Sequence, residues 1–289
     1  MLESSEERME KRRGRCKNQK QESPILAGWL TPSRLASNQR ECRAMNTSAF
    51  LLAAGRGERM RPLTDHTPKP LLSVRGKPLI DWALDRLAQA QVDEVWVNTA
   101  WLGDQIEAHR ARAAETGEPA KPAIRWSREG ADFGHALETA GGIARALPDL
   151  PAVFWVAAAD VWAPDFHFEP ACVHQFQQSQ ALAHIWLVPN PTHHPQGDFA
   201  LSAEGLVSTA SDNPGARLTY STMGLFRREL FQAPWVDIPP GNPSGQSAAL
   251  GPLLKAAAAQ GKVTGAVYTG PWVDVGTPER LHSLNESNT

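Results

Sequence analysis

The stretch AFLLAAGRGERMRPLTDHTPKPLL, residues 49–72, decides how the rest of the chain is read. Its first five residues are an apolar run of strand length, which breaks into a turn carrying glycines and cations. Without a Cβ, Gly55 and Gly57 let the backbone turn tightly and bring its N–H groups up to an anion. Arg59 and Arg61 add charge-assisted donors for phosphate oxygens. Lys69 follows ten residues after Arg59, between Pro68 and Pro70, whose fixed backbone aims a compact positive charge across the loop. Neither common nucleotide loop fits. The dinucleotide fingerprint needs a small residue where Met60 stands, and the P-loop needs Gly-Lys followed by Ser or Thr.

Outward from this motif, short β-rich runs alternate with helical periods. Leu79, Ile80, Ala83, Leu84 and Leu87 recur at helical spacing after Pro78, which marks a helix start. Strands are expected at 94–98, 123–127 and 152–156, and helices at 105–114 and 137–147. This order predicts an α/β fold: a three-layer, mostly parallel sheet with helices on both faces. The later third is less regular. Strands at 183–188, 199–201, 219–226, 263–268 and 272–275, with a helix at 248–260, are expected to extend the sheet in antiparallel fashion and to wall a pocket.

Residues 45–289 read as one domain. Residues 1–44 hold ten Lys or Arg and six Glu without apolar period, and read as a disordered arm or an over-long start ahead of Met45. Removing that arm leaves a body with net charge −6, inside a whole-chain charge of −2. Such a body gives no support for coating a polyanion, so neither nucleic acid nor membrane is an expected partner. The three cysteines, Cys16, Cys42 and Cys172, form no CxxC pair, which predicts a reducing cytoplasmic setting. No run approaches the roughly 18 apolar residues of a membrane span.

Further motifs share the chain with the first: ETAGGI at 138–143, an Asp closing an apolar strand (Asp160), and WVDVGTPERL at 272–281. Together with LAAGRGERMRPLT and PKPL they resemble the sugar-phosphate nucleotidyltransferases, or nucleoside-diphosphate-sugar pyrophosphorylases, over residues 50–284. The resemblance implies the Rossmann-like nucleotide-diphospho-sugar transferase fold, and an enzyme that exchanges a nucleoside triphosphate and a sugar 1-phosphate for a nucleotide-sugar and pyrophosphate. It implies that Ala54, Gly55, Gly57, Glu58 and Arg59 wrap the triphosphate, with Glu129 and Gly130 also at the nucleotide. Arg59 and Lys69 would carry catalysis, and Asp160 and Asp274 would hold Mg²⁺. Two carboxylates from distant strands suit such an oxygen-loving ion.

NTAWLGDQIEAH at 98–109 and NPTHHPQGDFAL at 190–201 further resemble members that use UTP and N-acetylmuramate 1-phosphate in cell-wall sugar recycling. By that likeness Glu138 and Asp198 hold the sugar, and His193 and His194 meet its lactyl carboxylate. The chain departs from those members at three places. Ala158 and Ala159 stand where they read Asn-Gly, residues 131–135 lengthen a loop, and no lysine lies near 197–201. The alternatives therefore stay open: another hexose 1-phosphate (mannose, glucose or N-acetylglucosamine) with GTP or dTTP, or a non-catalytic nucleotide-sugar-sensing subunit. A monomer is expected.

Overall fold

The computed structural model describes residues 47–115, 122–209 and 217–286, so the arm at 1–44, with Cys16 and Cys42, lies outside the described residues. The first half contains β1 (Ser48–Leu52), the short hairpin of β2 (Ser73–Val74) and β3 (Lys77–Pro78), α1 (Leu79–Gln89), β4 (Glu94–Thr99), α2 (Gly103–Glu115) and β5 (Ala123–Arg128). Next come α3 (Glu129–Phe133), α4 (Glu138–Ala146), β6 (Val153–Ala158), β7 (Val161–Trp162), α5 (Pro170–Gln178) and β8 (Ala183–Val188). The rest comprises β9 (Phe199–Leu201), β10 (Val207–Ser208), β11 (Arg217–Arg227), α6 (Leu250–Ala259), β12 (Val263–Val267), β13 (Val273–Asp274) and α7 (Pro278–Glu286).

The apolar run opening the glycine-rich motif becomes β1, paired in parallel with β4 on one side and β6 on the other; β5 extends the parallel set beyond β4. The expected α/β sheet holds in these four strands. From β6 onward β11 runs antiparallel and also carries β8 and β9, while β12 returns parallel to β8. The antiparallel extension expected of the later third holds for β9, β10 and β11 but not for β12, which is parallel to β8, nor for β13, which pairs with β7 in a separate two-stranded sheet.

Both faces of the central strands are covered, which is why β1 and β6 read as continuous apolar runs instead of alternating. Successive side chains point to opposite faces. Phe50, Phe154 and Val156 pack with Ile143 of α4 and Leu254 of α6, whereas Leu51 and Trp155 pack with Ile80 and Leu84 of α1 and Phe176 of α5. A third cluster joins Met60, Leu72, Trp162, Val275 and Leu284. It ties the glycine-rich turn, the PKP segment, β7 and the C-terminal helix into one support. Periodicity overlooked α5 and α7, although each begins with proline at its first position, the residue whose missing N–H costs nothing there. No helix among the described residues is long and apolar enough to cross a membrane.

Candidate active site

The turn after β1 ends in the left-handed region at Gly57, with φ +67°, and a Cβ there would lie 3.1 Å from Thr64 and 3.3 Å from Lys69. The glycine is needed on both counts. Thr64 Oγ1 donates to the Gly57 carbonyl at 2.9 Å and closes the loop. Opposite it Lys69, only 9% exposed, donates from Nζ to Asp160 Oδ2. Gly55, Glu58, Arg59, Lys69, Asp160 and Gly276 line a cleft of about 250 Å³ here, and Ala54 is buried behind it.

The three arginines of the loop have separate tasks. Arg56 stacks over Trp101, 3.7 Å from the ring centroid, and donates to Thr64 O and Asp65 Oδ1 at 2.8 and 2.9 Å. Arg61, read from sequence as a phosphate donor, also donates to Asp65 Oδ1 at 2.9 Å. These guanidinia, the Arg56 hydrogen bond foremost, hold the Asp65 carboxyl below its ordinary pKa. Arg59 alone of the three lines the cleft, and its guanidinium makes no hydrogen bond or ion pair among the described residues.

Tertiary pairing brings the segments of the two expected metal aspartates together. In the β13–β7 ladder Asp274 stands opposite Val161, and Val275 N donates to Asp160 O at 3.0 Å. The Asp274 carboxylate accepts from Arg280 and lies 3.1 Å from His193 Nε2. Among the described residues no group of three or more His, Cys, Asp or Glu forms a closed metal cage.

Glu129 is fully buried, and its carboxylate faces inward. Oε1 accepts from Asn98 Nδ2 at 2.9 Å and Oε2 from Leu137 N at 2.8 Å, while Asn98 Oδ1 accepts from Ala53 N at 2.8 Å. Glu129 thereby braces the glycine-rich turn through Asn98. Burial raises its pKa, with the bonds from Leu137 and Asn98 opposing that shift. Gly130 allows close backbone contact, since a Cβ there would sit 2.5 Å from Ala100 O. Asn98 carries no motif role of its own in the sequence; the available signal is an amide following the apolar run Val95–Val97 near the end of β4, where a buried side chain needs partners.

A larger cleft, about 570 Å³, adjoins the first and shares Leu52 with it. Glu138, Asp198, Tyr220, Thr222 and Lys255 line it. Asp198 Oδ2 accepts from Tyr220 N at 2.8 Å, and His194 Nε2 lies 3.1 Å from Oδ1. Arg217 donates to the Asp198 carbonyl at 2.7 Å and anchors the backbone. Glu138 and Thr222 both have positive φ, +57° and +64°, sparsely populated conformations for residues with side chains. Thr222 lies in the irregular register of β11 between Tyr220 and Gly224. The expected sugar residues Glu138 and Asp198 thus share one cleft. The histidines diverge: His194 faces Asp198, whereas His193 lies on Asp274 and 3.0 Å from Arg280 Nη1.

Two adjoining clefts at the C-terminal end of β1 invite comparison with known proteins. The profile described as Nucleotidyl transferase matches residues 48–289. The chain belongs to the nucleotidyl transferase family. This nucleotidyltransferase is 46% identical over 239 residues to an N-acetylmuramate alpha-1-phosphate uridylyltransferase of Neisseria meningitidis, covering 81% of this chain and 94% of the relative. It is 36% identical to the protein of that name from Caulobacter vibrioides, over 80% of this chain and 92% of the relative. Among solved structures, HddC from Yersinia pseudotuberculosis in complex with GMP-PN superposes with a TM-score of 0.61 at 16% identity, covering 84% of this nucleotidyltransferase and all of that chain. At that identity the likeness carries the fold alone. The family settles the reaction class as transfer of a nucleotide.

Proposed function

We propose that this enzyme transfers the uridylyl group of UTP to N-acetylmuramate α-1-phosphate and releases pyrophosphate. The observation carrying this reading is the near full-length similarity to two enzymes of that name, with the two adjoining clefts as its physical counterpart. The smaller, holding Lys69 and Arg59, is suited to polyphosphate. The larger offers carboxylates to sugar hydroxyls.

The attacking group is a sugar phosphate whose second ionisation lies near pH ~6, so it is already an anion at neutral pH and needs no general base. The work of this chain is then alignment and neutralisation. Arg59 meets the triphosphate, Lys69 Nζ stands by the phosphorus under attack, and Glu138 and Asp198 orient the sugar so that its phosphate reaches the shared boundary at Leu52. His194 keeps Asp198 in place.

Asp160, in the turn between β6 and β7, and Asp274, on β13, offer two hard oxygen ligands from neighbouring segments, and each carboxylate faces a cationic side chain, Lys69 or Arg280. That donor set fits a divalent cation that keeps water and phosphate as its other ligands, Mg²⁺ in our reading. When bound, such an ion neutralises charge on the phosphates.

A pyrophosphate-release panel crossing UTP, CTP, GTP and dTTP with several hexose 1-phosphates tests this reading. UTP with N-acetylmuramate 1-phosphate is expected to have the highest kcat/KM; a different best pair replaces the assignment. Base choice is the sharper part of this test, because Ala158 and Ala159 are buried and bring no side-chain amide to the end of β6. His194→Ala is expected to raise KM for the sugar 1-phosphate several-fold while leaving KM for UTP within twofold. Equal changes in both would remove His194 from the sugar side.

A further inference from the structure

An N-acetylmuramate differs from N-acetylglucosamine by a lactyl ether that ends in a carboxylate, so a site selecting the former needs a cation where the latter needs none. The two histidines are poorly placed for this. His194 is turned to Asp198 and His193 to Asp274, so each already faces a carboxylate of the protein, and neither lines the larger cleft.

That cleft has acidic walls, Glu138 and Asp198, which would repel a second anion. Lys255 is the one cationic side chain among its described lining residues. Its ammonium makes no hydrogen bond or ion pair among the described residues. Local geometry explains how it reaches the cleft. Side chains of an α-helix lean toward the N-terminus, over the residue four positions earlier. For Lys255 that residue is Gly251, and a Cβ built there meets nothing within 4 Å. The space at Gly251 is open, and Leu250, Gly251, Leu254 and Lys255 present one wall of α6 to the cleft.

Resting on the muramate reading above, we infer that Lys255 is the residue that selects a carboxylate-bearing sugar 1-phosphate, by pairing its ammonium with the lactyl carboxylate. Because Lys255 is exposed, this pair is salt-sensitive.

The test is the ratio of kcat/KM for N-acetylmuramate 1-phosphate to that for N-acetylglucosamine 1-phosphate, in the full-length wild type, Lys255→Gln, Lys255→Glu and His193→Ala/His194→Ala. The ratio is expected to fall about tenfold in Lys255→Gln, equal to about 1.4 kcal/mol, and further in Lys255→Glu. It should decline with added salt in the two proteins that keep Lys255, the wild type and the histidine variant, and not in Lys255→Gln. The lactyl methyl ester of N-acetylmuramate 1-phosphate, which carries no charge there, should be used equally well by wild type and Lys255→Gln. A ratio within twofold of wild type in both lysine variants overturns the inference, as does an equal loss for both sugars. A large drop confined to the histidine variant transfers the role to the histidines. A wild type that prefers N-acetylglucosamine 1-phosphate ends the muramate reading and the lysine's role together, whereas a muramate-selective wild type with unaltered lysine variants ends only the latter.

Discussion

Asp160→Asn is expected to lower kcat by at least about a hundredfold at saturating substrates and Mg²⁺, a loss of about 2.7 kcal/mol of transition-state stabilisation. Two effects combine. The variant removes one of two carboxylates able to hold a divalent cation against the phosphates. It also strips the counter-charge from Lys69, whose side chain is 11% exposed and is bonded to Asp160. Taking one partner from such a pair leaves a charge without compensation, so melting temperature should fall as well. The double variant Lys69→Met/Asp160→Asn separates the two effects. Removing both charges should recover part of the lost melting temperature, because no unpaired ion remains. It should recover none of the lost kcat, because lysine and carboxylate each act on the phosphates. Recovery of kcat in the double variant would reduce the pair to a structural ion pair, and near wild-type turnover in Asp160→Asn would remove it from the site. Asp274→Asn is expected to match Asp160→Asn in kcat.

Glu129→Ala should be the most destabilising single change near the site. It leaves two interior donors, Asn98 Nδ2 and Leu137 N, without their acceptor. Each costs about 1–3 kcal/mol, before counting the void left by the side chain. For a domain of this size that corresponds to a melting temperature lower by on the order of 10 °C. Activity should fall with it, since Asn98 also holds Ala53 at the root of the glycine-rich turn. Glu129→Gln keeps one acceptor and should cost about half as much. A drop below 2 °C in Glu129→Ala would show that the brace is dispensable.

The pH dependence has a definite sign. Burial raises the folded-state pKa of Glu129 above its ordinary 4.5. The folded state therefore binds this proton more tightly than the unfolded state. The group's contribution to stability is complete below the unfolded pKa and is lost as pH rises through the higher folded value. Glu129→Gln, which does not titrate, should lack that decline in mildly acidic solution. Thermal unfolding of wild type and variant across that range measures the difference.

Much of the fold is written in local sequence. The glycines at 55 and 57, the prolines around Lys69 and the alternation of strand and helix periods act through the backbone of a few neighbouring residues, and the sheet around β1 formed where they placed it. The motifs at 52–71, 138–143 and 272–281 were enough to identify the family. Proline at the first position of α5 and α7 was equally local and could have been used.

Where chemically identical side chains come to lie is decided only by tertiary structure. Arg59 and Arg61 read alike as phosphate donors from local chemistry, yet the position of Asp65 takes Arg61 and leaves Arg59 lining the cleft. Glu129 sat in a motif that suggested nucleotide contact, and the end of β4 turned its carboxylate onto Asn98 instead. His193 and His194 are adjacent and face different carboxylates, because their loop crosses between β13 and the start of β9. Lys255 carried no motif at all, and shares a cleft with Glu138 and Asp198 through the packing of α6 beside β1 and α4. Periodicity and turn chemistry report what each segment buries, a property of near neighbours in sequence. Which charge meets which across a cleft depends on where distant strands end, and that is decided when the sheet assembles.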